Sequence, residues 1–549
     1  MADLMETSPP EKKRRIDLQQ NDDCDLPKSC SRRTIHGLPN EILGISISLL
    51  GIGHFRYAPL ACKMFLDAYL ASVSDEQKIT MGKSVTSSIS CAKKYFHDTG
   101  CTTRTRDYKQ IKFFWDSAVR YGRVEVMEWA HQEGHSIINP KDGIDKTLCS
   151  EAAKYGQLEA LQWLRANHHD WDIHTCSAAA RNGHLSILQW VREDGCPWNN
   201  STCYAAAVGG HLSILQWARE NGCPWNINTC RAAAEGGHLS ILQWAREHGC
   251  DWISDTCLAA ARGGHLSCLK WARENGCPWN SETCTAAARN GHLSCLKWAR
   301  ENGCPWDSET CVAAARHGRI SCLQWATENG CPWDSSETCL AAACYGHLSC
   351  LQWARENGCP WDSVICTTAA RHGHLSCLKW ARENGCPWDS DTCAATARYG
   401  HLSCLQWARE NGCPWNSETC LAAARYGHLS CLQWARENRC PWDNRTCMAA
   451  ARYGHLPILQ WARQNGCPWY SDTCTAAARY GHLTILQWAR ENGCPWNIQT
   501  CRAAAEGGHL SILQWARENG CPWSRETRLA AACNGNLSIL QWVRENGCP

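Results

Sequence analysis

Cysteine is the first residue to question, because 42 of them stand among 549 residues. They recur at fixed spacing, as in Cys277 and Cys284, with Cys295 and His292 close behind. Thiolates and imidazoles are zinc ligands, yet structural zinc sites use close-set C-x2-C pairs and this sequence has none. The periodicity instead puts each thiol where a small buried apolar side chain belongs, and free cysteine packs well as one. Packing is therefore the reading, with metal binding and redox chemistry as the alternatives, and no metal ligand or cofactor is expected. Twelve Gly-His pairs, beginning with His184, share the same period. Gly82-Lys83-Ser84 has the end of a phosphate-binding loop, but the glycine required five residues earlier is Gln77, so the match fails. No other nucleophile, base or carboxylate pair stands outside the repeated pattern. The catalytic set is empty and an enzyme is not expected.

These residues sit on a repeat. Tryptophans of the type L-[QK]-W recur every 27 residues from Trp163 to Trp542, with one step of 28 where Ser335-Ser336 carries an extra residue. A second series follows C-P, as in Trp198, Trp279 and Trp306, with Trp171 and Trp252 lacking the proline. A fixed period of this kind means a repeat array, here of about sixteen units. Each unit reads as two helices. Ser308 is the expected N-cap, Glu309 suits the positive end of the dipole, and Cys311 to Arg316 has high helix propensity. Gly318 ends that helix as a C′ glycine. The second helix spans about Leu293 to Asn302, with Leu293, Leu296 and Ala299 on one stripe that Cys295 and Trp298 widen. Asn302-Gly303 and Pro305 stop it. No segment alternates with period two long enough to make a sheet. The fold expected is all-α, an α-solenoid in which buried tryptophans and neighbouring units stabilise each helix pair.

The balance of 55 Lys+Arg against 53 Asp+Glu leaves +2. That argues against a nucleic-acid partner, which needs clustered positive charge. The opening MADLMETSPPEKKRRID has no apolar core of a secretory signal. The apolar stretch from Ile42 to Ile52 is too short to cross a bilayer, so no membrane partner is expected. The expectation is a cytoplasmic or nuclear protein with reduced thiols. Lys12-Lys13-Arg14-Arg15 reads either as solvated charge or as a nuclear import signal.

The unit A-A-R-N-G-H-L-S-C-L-K-W-A-R-E-N-G-C-P-W-N resembles the ankyrin repeat, aligning without gaps over roughly residues 109–549. The unit is shorter than the usual one, and the loss falls in the β-hairpin between repeats, so a tight turn is expected there. The T-P-L-H start is replaced by T-C-x-A. The short, tryptophan-rich form is similar to expanded ankyrin-like families of large DNA viruses and some protists and algae. The resemblance implies a target bound on the concave face formed by first helices and inter-repeat turns. Variable positions agree with it: Arg231 and Arg502 follow the helix cysteine, and Tyr399, Tyr426, Tyr453 and Tyr480 form a ladder before the inter-helix glycine. Tyrosine is favoured at interfaces. Recent tandem copying is the competing explanation for the ladder.

Residues 38–71, LPNEILGISISLLGIGHFRYAPLACKMFLDAYLA, form an apolar helical segment that would cap the first repeat. The segment also resembles the F-box, with Ser46, His54 and Pro59 departing from its pattern. That resemblance implies docking of Leu38, Pro39, Ile42, Leu43, Ile47 and Leu50 on a Skp-type adaptor, which bridges to a cullin. The repeats would then hold a protein for ubiquitination. The alternative is a repeat scaffold, or a host-directed binding protein, with no ubiquitin link. The expected organisation is a polar tail at 1–37, the F-box-like segment at 38–71, a connector at 72–108 and the array at 109–549. The last repeat reads as incomplete at Cys548-Pro549, and fraying is expected beyond about Asn534.

Overall fold

A computed structural model describes residues 83–98, 108–135, 138–139, 143–144 and 147–549. The F-box-like segment and Lys12–Arg15 lie outside the described residues. The chain divides into two compact units, Met1–Gly143 and Ile144–Pro549.

In the first unit, helices Ile89–Asp98, Tyr108–Arg120 and Val124–Gln132 hold an aromatic core unlike anything in the repeats. Phe96 meets Phe114 edge-on at 4.8 Å and stacks on His135 at 3.9 Å. Trp115 is fully buried, and its indole Nε1 donates to the His135 carbonyl at 2.7 Å. Burial holds the His135 imidazole below its usual pKa. Two-residue strands, Ile138–Asn139 and Gly143–Ile144, pair with each other and are the only β-structure among the described residues.

The second unit is a run of fifteen helix pairs, from Thr147–Lys154 with Leu158–Ala166 to Arg525–Cys533 with Leu537–Glu545. With the pair in the first unit there are sixteen. Each first helix packs on the first helices before and after it, so the array is an all-helical solenoid. The alanine run permits that close approach: Ala313, Ala314 and Ala315 are completely buried. The second helices bury Cys295, Leu296 and Ala299 or their equivalents.

Capping chemistry sets the helix boundaries. The N-cap is Asp307, not Ser308: its extended backbone lets the carboxylate accept the Glu309 amide at 3.2 Å, and Ser308 becomes the first helical residue. Asn199, Asn226, Asp389, Asn416, Asp443 and Asn497 cap in the same way. The extra serine is absorbed in a first turn, where Asp334 reaches Glu337 and the helix Ser335–Tyr345 starts one residue early. Gly318, at φ +69°, ends the first helix as expected. Gly303, at φ +83°, closes the second through a pair of bonds, Gly303 N–H to Arg300 O and buried Cys304 N–H to Ala299 O. Those bonds define a Schellman end. The connection from there to Ser308 is a turn with no strand, as the shortened unit requires.

Two expectations need correction. The tryptophans are not the core: apart from Trp469 at 7% exposure, those of the second unit are half-buried. They meet edge-on in pairs, as Trp279 and Trp298 do at 5.8 Å, outside an interior filled by cysteine, alanine and leucine. An indole is large and carries a polar N–H, so it suits a boundary better than a seam built for alanine. Secondly, Cys339 and Cys359 are joined in a disulfide, whereas the thiols were expected to be reduced throughout. The helix Leu537–Glu545 closes the array, with Ile539 and Val543 buried and Leu537 77% exposed.

Candidate functional site

The turn between the two helices of each repeat is where register becomes surface chemistry. Gly264 has φ +77°, and a Cβ there would lie 2.5 Å from Nδ1 of His292, one repeat on. That imidazole occupies the space over the glycine, and its Nε2 donates to the Arg262 carbonyl at 3.1 Å. The Gly-His pairs are therefore inter-repeat braces. Ten of the twelve bond the backbone carbonyl of the residue two before the glycine, usually an arginine, while His265 and His428 fill the same space over Gly237 and Gly400. His401, His455 and His482 hold Arg371, Arg425 and Arg452 in this way at 3.0 to 3.2 Å. Where Arg319 replaces the histidine, its Nε makes the same bond to Arg289 at 3.3 Å.

The tyrosine ladder lies at this turn. Tyr399 and Tyr426 are 46% exposed, and Tyr453 and Tyr480 41%. They stand at the C-terminal ends of the first helices, whereas the inter-repeat turns sit at the N-terminal ends, about 15 Å away along a ten-residue helix. The ladder and the inter-repeat turns are thus not one patch, because a residue beside the C′ glycine must sit at the far end from the N-cap. What the structure adds is arginine. The guanidinium of Arg398 lies over the Tyr426 ring at 5.4 Å, Arg425 over Tyr453 at 5.4 Å, and Arg452 over Tyr480 at 4.7 Å. The signal was present in the sequence as R-Y-G-H, read there only for its tyrosine. Tyr345, more exposed than the other four, occupies the same position and was also passed over.

Electrostatics along this edge are one-sided. Arg371, Arg398, Arg425 and Arg452 have no carboxylate within ion-pair distance among the described residues. His372 and His317 are held below the usual imidazole pKa by burial first, then by surrounding cations, Arg371 and His374 for one and Arg289 and Arg316 for the other. The row is interrupted at Cys344, a half-exposed thiol whose Sγ lies 3.4 Å from His372 Nε2. It ends where the chain supplies glutamate: Glu235 faces Arg262 at 3.8 Å, and Glu506 faces Arg479 at 2.6 Å.

The other two predicted positions fall apart from the ladder. Arg231 borders a shallow groove of about 220 Å³ with Asn200, Tyr204 and Asn228. Arg502 is occupied by ion pairs to Glu506 at 2.7 Å and Glu526 at 3.2 Å. The remaining chemistry is subdued. The second-helix thiols are buried, and burial pushes Cys295 up to about 11. Among the described residues, no three His, Cys, Asp or Glu side chains gather as a metal site, and no helix is long and apolar enough to cross a membrane.

No family model and no curated protein matches the chain. Among solved structures, the ankyrin repeat domain of human ASB11 is similar at 17% identity and a TM-score of 0.25, covering 29% of this chain and 84% of that one. The pentatricopeptide repeat protein PPR10 from maize is similar at 14% identity and a TM-score of 0.28, covering 91% and 92%. PPR10 in complex with an 18-nt psaJ RNA element gives 12% identity and a TM-score of 0.24, covering 93% and 94%.

Proposed function

We propose that this chain is a non-enzymatic binding scaffold whose array holds a protein target. The observation that supports it best is the exposed Arg–Tyr edge, repeated in register and carrying no internal carboxylates between Arg371 and Arg452. Tyrosine and arginine are the residues on which interface energy concentrates, and here the braces hold them on rigid helix ends rather than on loops. The F-box-like segment at 38–71 makes this scaffold a substrate receptor, with Leu38, Pro39, Ile42, Leu43, Ile47 and Leu50 on a Skp-type adaptor bound to a cullin. Tyr399, Tyr426, Tyr453 and Tyr480 contact the target, with Arg231 and Arg502 at outlying positions.

Co-purification from the native cell tests both halves. The full chain is expected to recover adaptor and target. Deletion of 38–71 should lose the adaptor and keep the target. Tyr426→Ala with Tyr453→Ala should do the reverse, with the melting temperature nearly unchanged. Equal adaptor recovery with and without 38–71 refutes the ligase half. A large fall in melting temperature would assign the two tyrosines to packing.

A further inference from the structure

The proposed function leaves the nature of the target open, and the edge itself carries information about it. Its four arginines from Arg371 to Arg452 stand one per repeat with side chains at least partly exposed, and the carbonyls of Arg371, Arg425 and Arg452 are pinned by histidine. Nε of Arg452 is buried with no hydrogen-bond partner. The chain also shows how such an arginine is satisfied. At the far end of the row, Glu506 of the next repeat places Oε2 on Arg479 Nη2 at 2.6 Å, and at the near end Glu235 faces Arg262. Between those ends the matching position holds Arg or Cys, never Glu.

We infer that the edge from Arg371 to Arg452 binds an extended acidic peptide, one carboxylate to each repeat. Resting on the scaffold reading, this inference narrows its target to a chemical class. Packed helices are spaced about 10 Å apart, and an extended peptide in the polyproline II conformation advances about 3.1 Å per residue with three residues per turn, so that every third side chain points the same way. A carboxylate at every third residue therefore meets successive guanidinium groups, and a segment of about 12 residues spans the row. Each guanidinium has a planar fork suited to a carboxylate, and the tyrosine rings supply amphipathic walls. Single-stranded RNA fits less well. Base stacking needs free aromatic faces, whereas Tyr426, Tyr453 and Tyr480 each already carry a guanidinium.

Fluorescence anisotropy of the full chain tests this with a labelled peptide of about 12 residues carrying Glu at every third position in a Gly-Ser-Ala background. Three competitors accompany it: the same peptide with Gln for Glu, one with its glutamates consecutive, and an oligouridylate of equal charge. The spaced peptide is expected to bind at least about tenfold more tightly than the Gln and consecutive versions. Arg398→Gln with Arg425→Gln should weaken it by about tenfold or more, while Arg525→Gln, outside the row, leaves it unchanged. Equal binding of the Gln or consecutive peptide, tighter binding of the oligouridylate, or indifference to the Arg398 and Arg425 changes overturns the inference. A cellular target still lost with Tyr426→Ala and Tyr453→Ala, from a chain that ignores the glutamate peptide, refutes acidic recognition alone. Peptide binding by a chain that captures no cellular target refutes the scaffold reading instead.

Discussion

The central and flanking repeats of the array share one helix-pair pattern and divide most consistently at one buried position of the second helix. In the seven second helices from Leu266–Glu274 to Leu429–Glu437, the third residue is cysteine: Cys268, Cys295, Cys322, Cys350, Cys377, Cys404 and Cys431. In the flanking repeats the same place holds isoleucine, as in Ile187, Ile214 and Ile241 on one side and Ile458, Ile485 and Ile512 on the other. All of these are buried to within 2%. A seam that buries either side chain to the same degree is specified by apolarity more than by exact volume. The thiol, however, adds a proton that isoleucine lacks.

The largest expected effect follows from that proton. Burial raises all seven thiols from 9.0 to about 11, so the folded state favours the neutral form. Their contribution is complete below about pH 9 and is lost as pH rises through about 11. Each forfeits roughly 2 to 3 kcal/mol on ionising. Replacing all seven by isoleucine should leave urea unfolding at pH 8 nearly unchanged and lessen the loss seen at pH 10.5 by the share these seven contribute, the other buried thiols keeping theirs. The cysteines of first helices and turns are present in both chains and add the same alkaline loss to each, so the difference between the two curves belongs to the seven. An equal alkaline loss in both chains would show that the second-helix thiols are not the weak point.

Much of this architecture was legible in the residues. The period of Trp163 to Trp542 gave the unit, and Gly318, Gly303 and Pro305 gave its stops, because glycine at positive φ and proline after a helix act through local sterics alone. Ser308 misled because two capping residues stand side by side, and the choice depends on which oxygen reaches the second amide. The tryptophans misled for a different reason. Composition shows that a large side chain is present, but whether a seam is lined by indoles or by Ala313, Ala314 and Ala315 depends on helix spacing. The tyrosine positions of the candidate site were readable from the period. Their pairing with Arg398, Arg425 and Arg452 was not, since it joins residues one repeat apart. The end-closing glutamates likewise acquire meaning only once His292-type braces set the register.

Those braces give the second comparison between centre and flank. Gly264 and Gly508 have nearly the same φ, +77° and +79°, but a Cβ at Gly264 meets His292 at 2.5 Å while one at Gly508 meets Asn536 at 3.2 Å. Gly276, at +84°, meets nothing within 4 Å. Alanine at any of the three costs about 1 kcal/mol for the left-handed backbone. Only Gly264→Ala must also displace an imidazole and its bond to Arg262, for a total of about 3 kcal/mol. Urea midpoints should therefore order Gly264→Ala well below Gly508→Ala and Gly276→Ala. Similar losses at all three would reduce the histidine to a spectator.

The smallest expected effect lies inside the central region, at the junction where Thr327 replaces arginine. In the neighbouring repeats, Arg300 lies over Trp306 at 4.5 Å and Arg355 over Trp361 at 5.0 Å. Thr327 stands at the same position and cannot reach Trp333, and its hydroxyl turns back to the Leu323 and Gln324 carbonyls at 3.0 and 2.9 Å. The indole pair beyond it is tilted, with Trp333 and Trp353 at 52°, where Trp306 and Trp325 meet at 61°. In the regular repeats the arginine also donates to the carbonyl four residues on, as Arg355 does to Cys359 at 2.7 Å. Thr327→Arg restores both contacts and should stabilise the array by about 0.5 to 1 kcal/mol, with Arg300→Thr costing a similar amount. The paired substitutions matter more than either alone. If guanidinium over indole contributes to the junction, the two shifts in urea midpoint are opposite in sign. If both variants lose stability, helix propensity and local fit decide the position, and the arginine–tryptophan stack is a consequence of packing rather than a cause of it.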